Sequence, residues 1–337
     1  MITDLRVLVA GCGSIGRRHI RNLSSLGVKD FILCDPNADS LAKASEGLTN
    51  PVLCGSIESA LAHSPCAAVI CTPSSMHIEM SLELAKRSVH IFIEKPLSHT
   101  LDGCEALAKI VELKGIVGMM GMCYRFHPVF QHIKNLLDSE VLGKVYHVNY
   151  HGGHYLPDWH PYADYRAEYA SRNSLGGGVV LTSIHGLDNI RWLFGEVAES
   201  KTFADKVSAL EMDVEDLAIG VLRLKSGVYV NWQTDFLQRV NQHRMIIAGE
   251  KGTIRCDFIE GTIETYLTDF GKWFNGRLVY DINSMYVEEM KHFLECINKG
   301  IGPSIDIKEG YRTLKLALSV KSSMIKTPGQ EEICLTA

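Results

Sequence analysis

One stretch near the start of the chain constrains the fold more than any other. The apolar run Leu5–Ala10 is typical of a buried strand, Gly11-Cys12-Gly13-Ser14-Ile15-Gly16 follows it directly, and Ile15–Leu26 has the pattern of a helix. In such a unit the first glycine permits a tight turn, the second lets the backbone approach a pyrophosphate, and the third lets helix and strand pack closely. We therefore expect a dinucleotide site at the N-terminus of this helix. A glycine-rich turn without a ligand is the alternative.

An acidic residue follows the next predicted strand, at the position where a dinucleotide-binding unit contacts the ribose. Asp35 follows Gly16 by 19 residues and ends the next apolar run. Its carboxylate can accept hydrogen bonds from both hydroxyls of an adenosine ribose, and it would repel a 2′-phosphate. No arginine stands in the following Pro36-Asn37-Ala38. We therefore predict NAD as the cofactor, with NADP disfavoured. Taken by itself, Asp35 is also consistent with a helix-capping or turn residue.

The first 120 residues alternate short apolar runs with amphipathic stretches. Strands this apolar are typical of a parallel sheet covered by helices on both faces. The alternation predicts a doubly wound α/β domain, which we place at residues 1–124. The predicted strands are Leu5–Ala10, Phe31–Cys34, Ala67–Cys71, His90–Ile93 and Val117–Cys123, and the predicted helices are Ile15–Leu26, Ser40–Gly47, His77–Ser88 and Thr100–Lys114.

The pattern changes after Arg125, and residues 125–337 are predicted to form a second α/β domain. Apolar residues there recur with a period of two, which predicts a large open sheet that is mostly antiparallel, with one face packed. The predicted strands begin at Val145 and include Ala218–Leu224, Val228–Asp235 and Arg244–Ala248, and the predicted helices are His127–Leu142, Ser284–Asn298 and Lys308–Lys326.

Composition excludes several classes of protein. The net charge of -5 provides no basic field for nucleic acid, and no apolar run approaches the roughly 20 residues of a membrane span. The N-terminal apolar run is too short for a signal peptide. None of the ten cysteines forms a CxxC pair. We therefore expect a reduced, cytoplasmic protein without a disulfide framework.

Two further motifs follow predicted strands. Cys71-Thr72-Pro73-Ser74-Ser75-Met76-His77 lies at the carboxyl end of one strand, where open α/β sheets bind ligands. Glu94-Lys95-Pro96 lies at the end of another, and its proline holds the preceding residue in a non-helical conformation. A partly desolvated lysine can take part in proton transfer. A solvated surface lysine is the alternative for Lys95 alone.

These motifs together resemble a known family. The glycine turn, the Thr-Pro-x-x-x-His turn, Glu-Lys-Pro and Tyr124-Arg125-Phe126 are similar to the glucose-fructose oxidoreductase, inositol dehydrogenase and rhizopine catabolism (Gfo/Idh/MocA) family. Gly176-Gly177-Gly178, His185 and Trp192-Leu193-Phe194-Gly195 extend the likeness over nearly the whole chain. The resemblance implies a Rossmann domain, a C-terminal domain with an open sheet, and hydride transfer between nicotinamide and a ring carbon of a sugar or cyclitol.

The motifs and the resemblance give a set of expected site residues. Lys95 and His185 are the catalytic pair that acts on the reacting oxygen. The expected cofactor-binding residues are Gly11, Cys12, Gly13, Ser14, Ile15, Gly16, Asp35, Thr72, Pro73, Ser75, His77, Glu94, Lys95, Pro96 and Arg125. The expected substrate-binding residues are Lys95, Tyr124, Tyr155, Trp159, Tyr165, Arg166, Arg172, Thr182 and His185.

One departure from the family concerns the catalytic set. Many members have an aspartate four residues before the histidine, whereas Leu181 stands there in this chain. His185 then works either with Lys95 alone or with Asp188, one helical turn later. Without the resemblance, a partly buried structural histidine is the alternative.

The segment between Tyr155 and Arg166 is rich in aromatic and hydrogen-bonding side chains, as sugar sites are. Arg166 and Arg172 could bind a phosphate, a carboxylate or a nucleotide diphosphate, and an ordered polar surface loop is the alternative. The stretch also looks like relatives from surface-glycan biosynthesis, which points to an activated or amino sugar. His147, His151 and His154 lack the spacing and partners of a metal site, and we expect no metal.

The main functional prediction is therefore an NAD-dependent dehydrogenase or reductase. Two alternatives stay open: a redox-neutral enzyme that oxidises transiently and eliminates, and a non-catalytic sugar-sensing regulator. The presence of both Lys95 and His185 argues against the regulator. An open sheet in the second domain suggests a homodimer or a homotetramer.

Overall fold

The N-terminal part of the chain forms a six-stranded parallel sheet. The computed structural model describes residues 5–161 and 163–322. The strands of this sheet are β1 (Arg6–Ala10), β2 (Asp30–Cys34), β3 (Val52–Cys54), β4 (Ala67–Ile70), β5 (His90–Glu94) and β6 (Gly118–Gly121). Their order is β3-β2-β1-β4-β5-β6, and all neighbours are parallel. This is the strand order of a Rossmann domain, with its reversal between β1 and β4, and the doubly wound prediction is confirmed.

Five helices connect these strands. They are α1 (Ser14–Ser25), α2 (Ala38–Ser45), α3 (Ile57–Leu61), α4 (His77–Lys86) and α5 (Cys104–Lys114). The predicted helices all exist, with ends displaced by a few residues. The sequence prediction contains neither β3 nor α3, because elements of three and five residues are too short to show a period.

The second sheet has eight strands. They are β7 (Val145–Tyr155), β8 (Val197–Asp205), β9 (Leu217–Leu224), β10 (Tyr229–Asp235), β11 (Leu237–Gly249), β12 (Gly252–Asp257), β13 (Thr262–Leu267) and β14 (Lys272–Arg277). Their order is β14-β13-β12-β11-β7-β10-β9-β8. Only β7 and β10 are parallel neighbours in this sheet, so the mostly antiparallel prediction is confirmed. The register of β7 with β11 shifts between Leu237 and Gln242, which marks a bulge.

Six helices accompany the second sheet. They are α6 (Pro128–Asp138), α7 (Leu156–Trp159), α8 (Val179–Thr182), α9 (His185–Phe194), α10 (Ser284–Lys299) and α11 (Ile307–Ser322). The last four residues of the predicted helix Lys308–Lys326 lie outside the described residues. The turn Cys123–Phe126 spans the predicted boundary between residues 124 and 125, and that boundary stays a prediction.

The two faces of the second sheet differ in composition. Val148, Val230 and Leu222 are fully buried on one face. On the other face, Val221 and Ile246 are about two-fifths exposed, and the register places them in one row with Asn149 and Asn231. We call the exposed side the open face. The alternation of buried and exposed residues follows from the period of two in each strand.

Helix α10 packs against the Rossmann sheet although it lies late in the chain. Met290, Phe293 and Leu294 share one buried cluster with Val7 and Phe92. Phe293 and Phe92 meet edge to face at 5.7 Å between ring centroids. The core of the N-terminal domain is therefore completed by residues from the far end of the described chain.

Two further observations concern the whole molecule. Within residues 5–161 and 163–322, no helix has the length and apolar character to cross a bilayer. The nine cysteines in the described part of the chain are free thiols, and most are buried.

Candidate active site

The glycine turn has the geometry that its sequence predicts. Gly11 has φ +89°, and a Cβ there would lie 2.6 Å from the Cys71 carbonyl carbon. A Cβ at Gly16 would lie 2.0 Å from the Gly11 carbonyl oxygen, so both positions exclude a side chain. A Cβ at Gly13 would meet nothing within 4 Å. The open space lies at the start of α1, where Ser14 and Ile15 are the first residues of the helix. The N-terminus of this helix therefore fits a pyrophosphate.

The carboxylate of Asp35 faces back toward this turn. It accepts hydrogen bonds from the Cys12 N–H and the Asn37 N–H, both at 2.8 Å. The cap of α2 is Asn37, whose side chain accepts the Ser40 N–H, so Asp35 is not the capping residue. Its position beside the glycine turn fits an adenosine ribose.

Thr72, Pro73 and Ser75 lie after β4, at the same edge of the sheet as the glycine turn. A Cβ at Gly11 would also lie 2.8 Å from the Thr72 nitrogen, which shows how closely the two segments approach. The Thr72 hydroxyl is buried and has no hydrogen-bond partner within the described residues. Main-chain and hydroxyl groups are therefore available to a cofactor along this edge.

The prediction that the His77 ring binds the cofactor is not supported. His77 is buried, with Nδ1 2.8 Å from the Pro96 carbonyl oxygen and Nε2 2.8 Å from the Thr72 carbonyl oxygen. Burial lowers the pKa of His77, although the two carbonyl contacts act in the opposite direction. Since both nitrogens are engaged, His77 joins the two loops that follow β4 and β5 and does not offer its ring to a ligand.

Glu94 also points inward. One carboxylate oxygen lies 2.7 Å from His19 Nε2, and the other accepts the Lys95 N–H at 3.1 Å. Burial would raise the pKa of Glu94, but the hydrogen bond and charge of His19 hold it below its ordinary value. The carboxylate is therefore engaged by partners within the protein and orders the backbone at Lys95, and a contact of Glu94 with the cofactor stays a prediction.

Lys95 crosses from the Rossmann domain to the second domain. Its Nζ donates a hydrogen bond to the Thr182 carbonyl oxygen at 2.8 Å, at the end of α8. Pro96 follows it through a cis peptide bond. The Thr182 hydroxyl is buried and has no partner among the described residues. Lys95 and Thr182 are thus brought together, as the expected site requires.

His185 begins α9 close to this contact. Its ring stacks on Tyr124 at 4.4 Å between centroids, and its Nε2 lies 3.9 Å from Cys123 Sγ. Its Nδ1 is buried without a hydrogen-bond partner in the described structure. Burial lowers the pKa of His185 well below its usual value, and the charge of Lys95 acts in the same direction. The neutral ring can therefore accept a proton.

Tyr124 is the aromatic platform of this site. It stacks on His185 on one side and on His243 on the other, at 5.2 Å. Burial raises the pKa of its hydroxyl, so the ring stays neutral. His243 comes from β11 and was not predicted, since a single histidine in an alternating strand carries no local signal.

Asp188 does not replace the missing aspartate of the family. Its carboxylate accepts hydrogen bonds from Arg125 Nε and Nη2 at 2.8 and 2.7 Å and from the Thr313 hydroxyl at 3.0 Å. Arg125 also pairs with Glu309 at 3.1 Å. The prediction that Arg125 binds the cofactor is not supported either, because this buried ion-pair network occupies its guanidinium. Leu181 is buried where many relatives have the aspartate.

The predicted substrate loop divides into two groups. Tyr155 and Trp159 line a cleft together with His154, Asn241 and Arg239, whose guanidinium lies 3.5 Å from the Tyr155 ring centroid. Arg239 and His154 were not predicted as substrate-binding residues. The charge of Lys95 contributes to lowering the pKa of His154 to about 4, after the larger effect of burial. One residue that lines this cleft, His154, therefore lies within the electrostatic influence of Lys95.

The second group is an exposed cluster around Arg166. Asp164 and Glu211 bind its guanidinium at 2.9 and 3.2 Å, and the Tyr165 hydroxyl accepts the Glu211 N–H. The prediction that Arg166 holds an anion is therefore not supported, since two carboxylates already neutralise it. Arg172 is exposed on the same loop, and its anion-binding role stays a prediction.

Comparison with known proteins identifies the family. Residues 5–122 match the family model described as an oxidoreductase family with an NAD-binding Rossmann fold, and residues 130–255 match the GFO/IDH/MocA C-terminal domain. The fold, the glycine turn and these matches define an NAD-dependent oxidoreductase with two domains. The chain belongs to the Gfo/Idh/MocA family, and the resemblance noted in its motifs is confirmed.

Several characterised proteins are similar over long stretches. The myo-inositol 2-dehydrogenase of Thermotoga maritima is 27% identical, with 95% of this chain and 96% of that protein covered. The 2,7-anhydro-N-acetylneuraminate hydratase of Escherichia coli is 25% identical over 75% of this chain and 67% of its own length. A levoglucosan dehydrogenase solved with NADH and levoglucosan shares the fold, with a TM-score of 0.84, 19% identity, and coverage of 95% of this chain and 97% of that one.

Proposed function

We propose that the protein transfers a hydride between NAD and a ring hydroxyl or ketone carbon of a sugar or cyclitol. The observation that carries this proposal is the meeting of Lys95 with Thr182 beside a neutral His185, at the edge of the sheet where the glycine turn opens. The similarity to an inositol dehydrogenase and to a levoglucosan dehydrogenase supports the substrate class.

The residues have distinct tasks in this reaction. Bound NAD supplies the hydride acceptor. The Lys95 ammonium donates a hydrogen bond to the reacting oxygen in place of the Thr182 carbonyl, which orients the substrate and stabilises negative charge on that oxygen. His185, neutral and buried, accepts the hydroxyl proton. The planar Tyr124 ring holds the His185 ring in position.

A substrate panel tests the proposal. Purified protein with NAD is given myo-inositol, scyllo-inositol, levoglucosan or UDP-N-acetylglucosamine, and NADH formation is followed by absorbance. Thermal shifts with the same compounds report binding by mass action. The Lys95→Met variant is the control, which we expect to bind NAD without producing NADH. Binding of a sugar with neither NADH formation nor product release would contradict an enzymatic function and favour the regulator.

A redox-neutral reaction is the second candidate. It is favoured by the similarity to a hydratase over three quarters of the chain. The two candidates differ in their products, because a transient oxidation returns its hydride and leaves no net NADH. Product analysis of the same incubations therefore separates them. A product that appears with catalytic amounts of NAD would replace the main proposal.

We further propose that the open face is a surface of self-association. Its exposed apolar side chains include Phe203, Ile219 and Val221, which lie on neighbouring strands β8 and β9. A second copy of the chain would cover them in a homodimer or a homotetramer. The free thiols suit a reduced, cytoplasmic setting. Light scattering of the wild type and of Val221→Asp decides this. A monomeric wild type would contradict the proposal.

A further inference from the structure

Three elements bring a buried group of ionisable side chains together beneath the catalytic lysine. His19 comes from α1, Glu94 from the end of β5, and Glu289 from α10. His19 and Glu289 are fully buried, and Glu94 is 7% exposed. One nitrogen or oxygen atom of each lies within 4.8 Å of the others. The expected catalytic residues do not include Glu289.

Glu289 differs from Glu94 in its surroundings. Glu94 has two hydrogen-bond donors, His19 and the Lys95 N–H, whereas neither oxygen of Glu289 has a partner among the described residues. A second ionised carboxylate at this distance from Glu94 would be repelled in a site closed to water. Burial, followed by the charge of Glu94, raises the pKa of Glu289 well above its ordinary value.

The other titratable groups around this pair do not favour a second negative charge. Cys123 is a buried thiol and Cys71 is a partly buried one, and the pKa of both is raised. Tyr286 on α10 is a partly buried phenol whose pKa is raised as well. The positive charge of Lys95 acts on Glu94. Glu94 is therefore the member of the pair that keeps its charge.

We propose that Glu289 is a positioning residue for Lys95, acting as a protonated acid that hydrogen-bonds the Glu94 carboxylate through one buried water. Glu94 is then held from three sides, by Glu289, by His19 and by the Lys95 N–H. The backbone from which Lys95 reaches Thr182 is fixed by this arrangement. Helix α10 also completes the Rossmann core. The C-terminal part of the chain therefore packs behind the segment that carries Glu94 and Lys95. The link to turnover rests on the proposed function, whereas the protonation of Glu289 does not.

Infrared spectroscopy of the intact protein tests the protonation. A protonated carboxyl has a C=O stretch at higher frequency than a carboxylate, and Glu289 is the described acidic residue whose pKa is raised. We expect such a band at neutral pH in the wild type and its loss in Glu289→Gln. Glu288→Gln is the matched control, because Glu288 is exposed on the same helix and pairs with Lys291. The band should persist in that control.

Reactivity of Lys95 tests the positioning without any substrate. Acetylation by acetic anhydride is followed by peptide mass spectrometry, with exposed Lys109 as the reference in the same sample. Glu289→Met keeps the volume but removes the donor, and we expect the acetylation rate of Lys95 relative to Lys109 to change. In Glu289→Gln, whose amide can still donate to the bridging water, the relative rate should stay closer to that of the wild type. Once a substrate is known, kcat of Glu289→Met should fall ~10- to 100-fold with a smaller change in KM, as misplacement of a reacting group does.

Several outcomes would overturn the proposal. One is the absence of the band at neutral pH, or its persistence in Glu289→Gln. Another is an equal acetylation rate in the wild type and Glu289→Met. A third is a stoichiometric divalent metal in the purified protein that Glu289→Gln loses, which would make the three residues a metal site. If Glu289→Met does not fold, the infrared band of the wild type and its loss in Glu289→Gln still test the proposal. Failure of the substrate panel alone would affect only the kcat readout.

Discussion

In the proposed reaction, Lys95 is the charged donor and His185 is the neutral acceptor. Lys95 reaches a backbone oxygen of the second domain, and its charge helps to keep His185 neutral. Lys95 therefore helps to set the neutral state of His185. Because both act on one oxygen and one proton, their contributions should not be independent.

We expect Lys95→Ala and His185→Ala each to reduce kcat about 10²- to 10⁴-fold, the usual contribution of a positioned proton-transfer group. NAD affinity should change little, because the glycine turn and the start of α1 bind the pyrophosphate. The double variant should lose much less than the product of the two single losses. Steady-state kinetics and NAD titration measure this, with Lys109→Ala as a surface control. Fully multiplicative losses would contradict a shared role.

Asp35 should set the choice of cofactor. In Asp35→Ala the ribose hydroxyls lose a charged acceptor, which should weaken NAD binding by about 1.5–3 kcal/mol, roughly one to two decades in affinity. The preference for NAD over NADP should shrink at the same time. Calorimetric titration of both cofactors checks this, with Asp39→Ala on α2 as the control. A wild type that binds NADP as tightly as NAD would refute the assignment.

At the scale of elements, the network around Arg125 joins three segments. Arg125 lies in the turn Cys123–Phe126, Asp188 in α9, and Glu309 in α11. The side chain of Asp188 is 1% exposed, so its charge is almost fully removed from water. The network holds α9, and with it His185, against the turn that carries Tyr124.

We expect Asp188→Ala to lower the free energy of unfolding by about 3–5 kcal/mol, because it leaves a buried guanidinium without its main partner. Urea unfolding measures this. Glu199→Gln is the control, since its pair with Arg223 is about half exposed and should contribute little to stability. Equal effects of the two variants would show that the network does not stabilise α9.

These elements also show what sequence reasoning can reach. The glycine turn and Asp35 were predicted because each depends on neighbours close in the chain. The role of Lys95 came from the family resemblance, because its neighbours in sequence are also consistent with a solvated surface lysine. Arg125 was assigned to the cofactor, since nothing near it in sequence shows that its partners are 63 and 184 residues away. Glu289 and Arg239 were missed for the same reason. The strands β12 to β14 were also missed, because β14 is exposed along its whole length and β12 and β13 are six residues each with only two or three buried positions.

At the scale of the whole molecule, several buried histidines are neutral in the folded state. Burial lowers the pKa of His127 to about 4 and that of His243 to about 3, and the pKa of His185 is well below 6.5. In the unfolded chain these groups take up protons near pH 6.5. Folding therefore becomes less favourable as the pH falls below that value. The raised pKa of Glu289 acts in the opposite direction, but Glu289 is a single group, whereas several histidines are affected.

We expect the free energy of unfolding to fall between pH 6.5 and pH 5, by about 1.4 kcal/mol per pH unit for each histidine that stays neutral, less the opposing contribution of Glu289. Urea unfolding at several pH values measures the slope. His127→Asn, which keeps a capping acceptor for α6, should reduce the slope by one proton. His63→Gln, at an exposed position, should leave it unchanged. A stability that rises on acidification would contradict this account.

The return of α10 to the Rossmann sheet has a consequence for synthesis on the ribosome. The β strands of the N-terminal domain emerge first, but Met290, Phe293 and Leu294 emerge only after both sheets have been made. Until then Val7 and Phe92 lack part of their packing, and the nascent first domain exposes an apolar surface. Chains arrested before residue 284 should therefore be cleaved by protease within the first domain, whereas the released full-length chain should resist it. The first domain to be translated is thus among the last parts of the molecule to become stable.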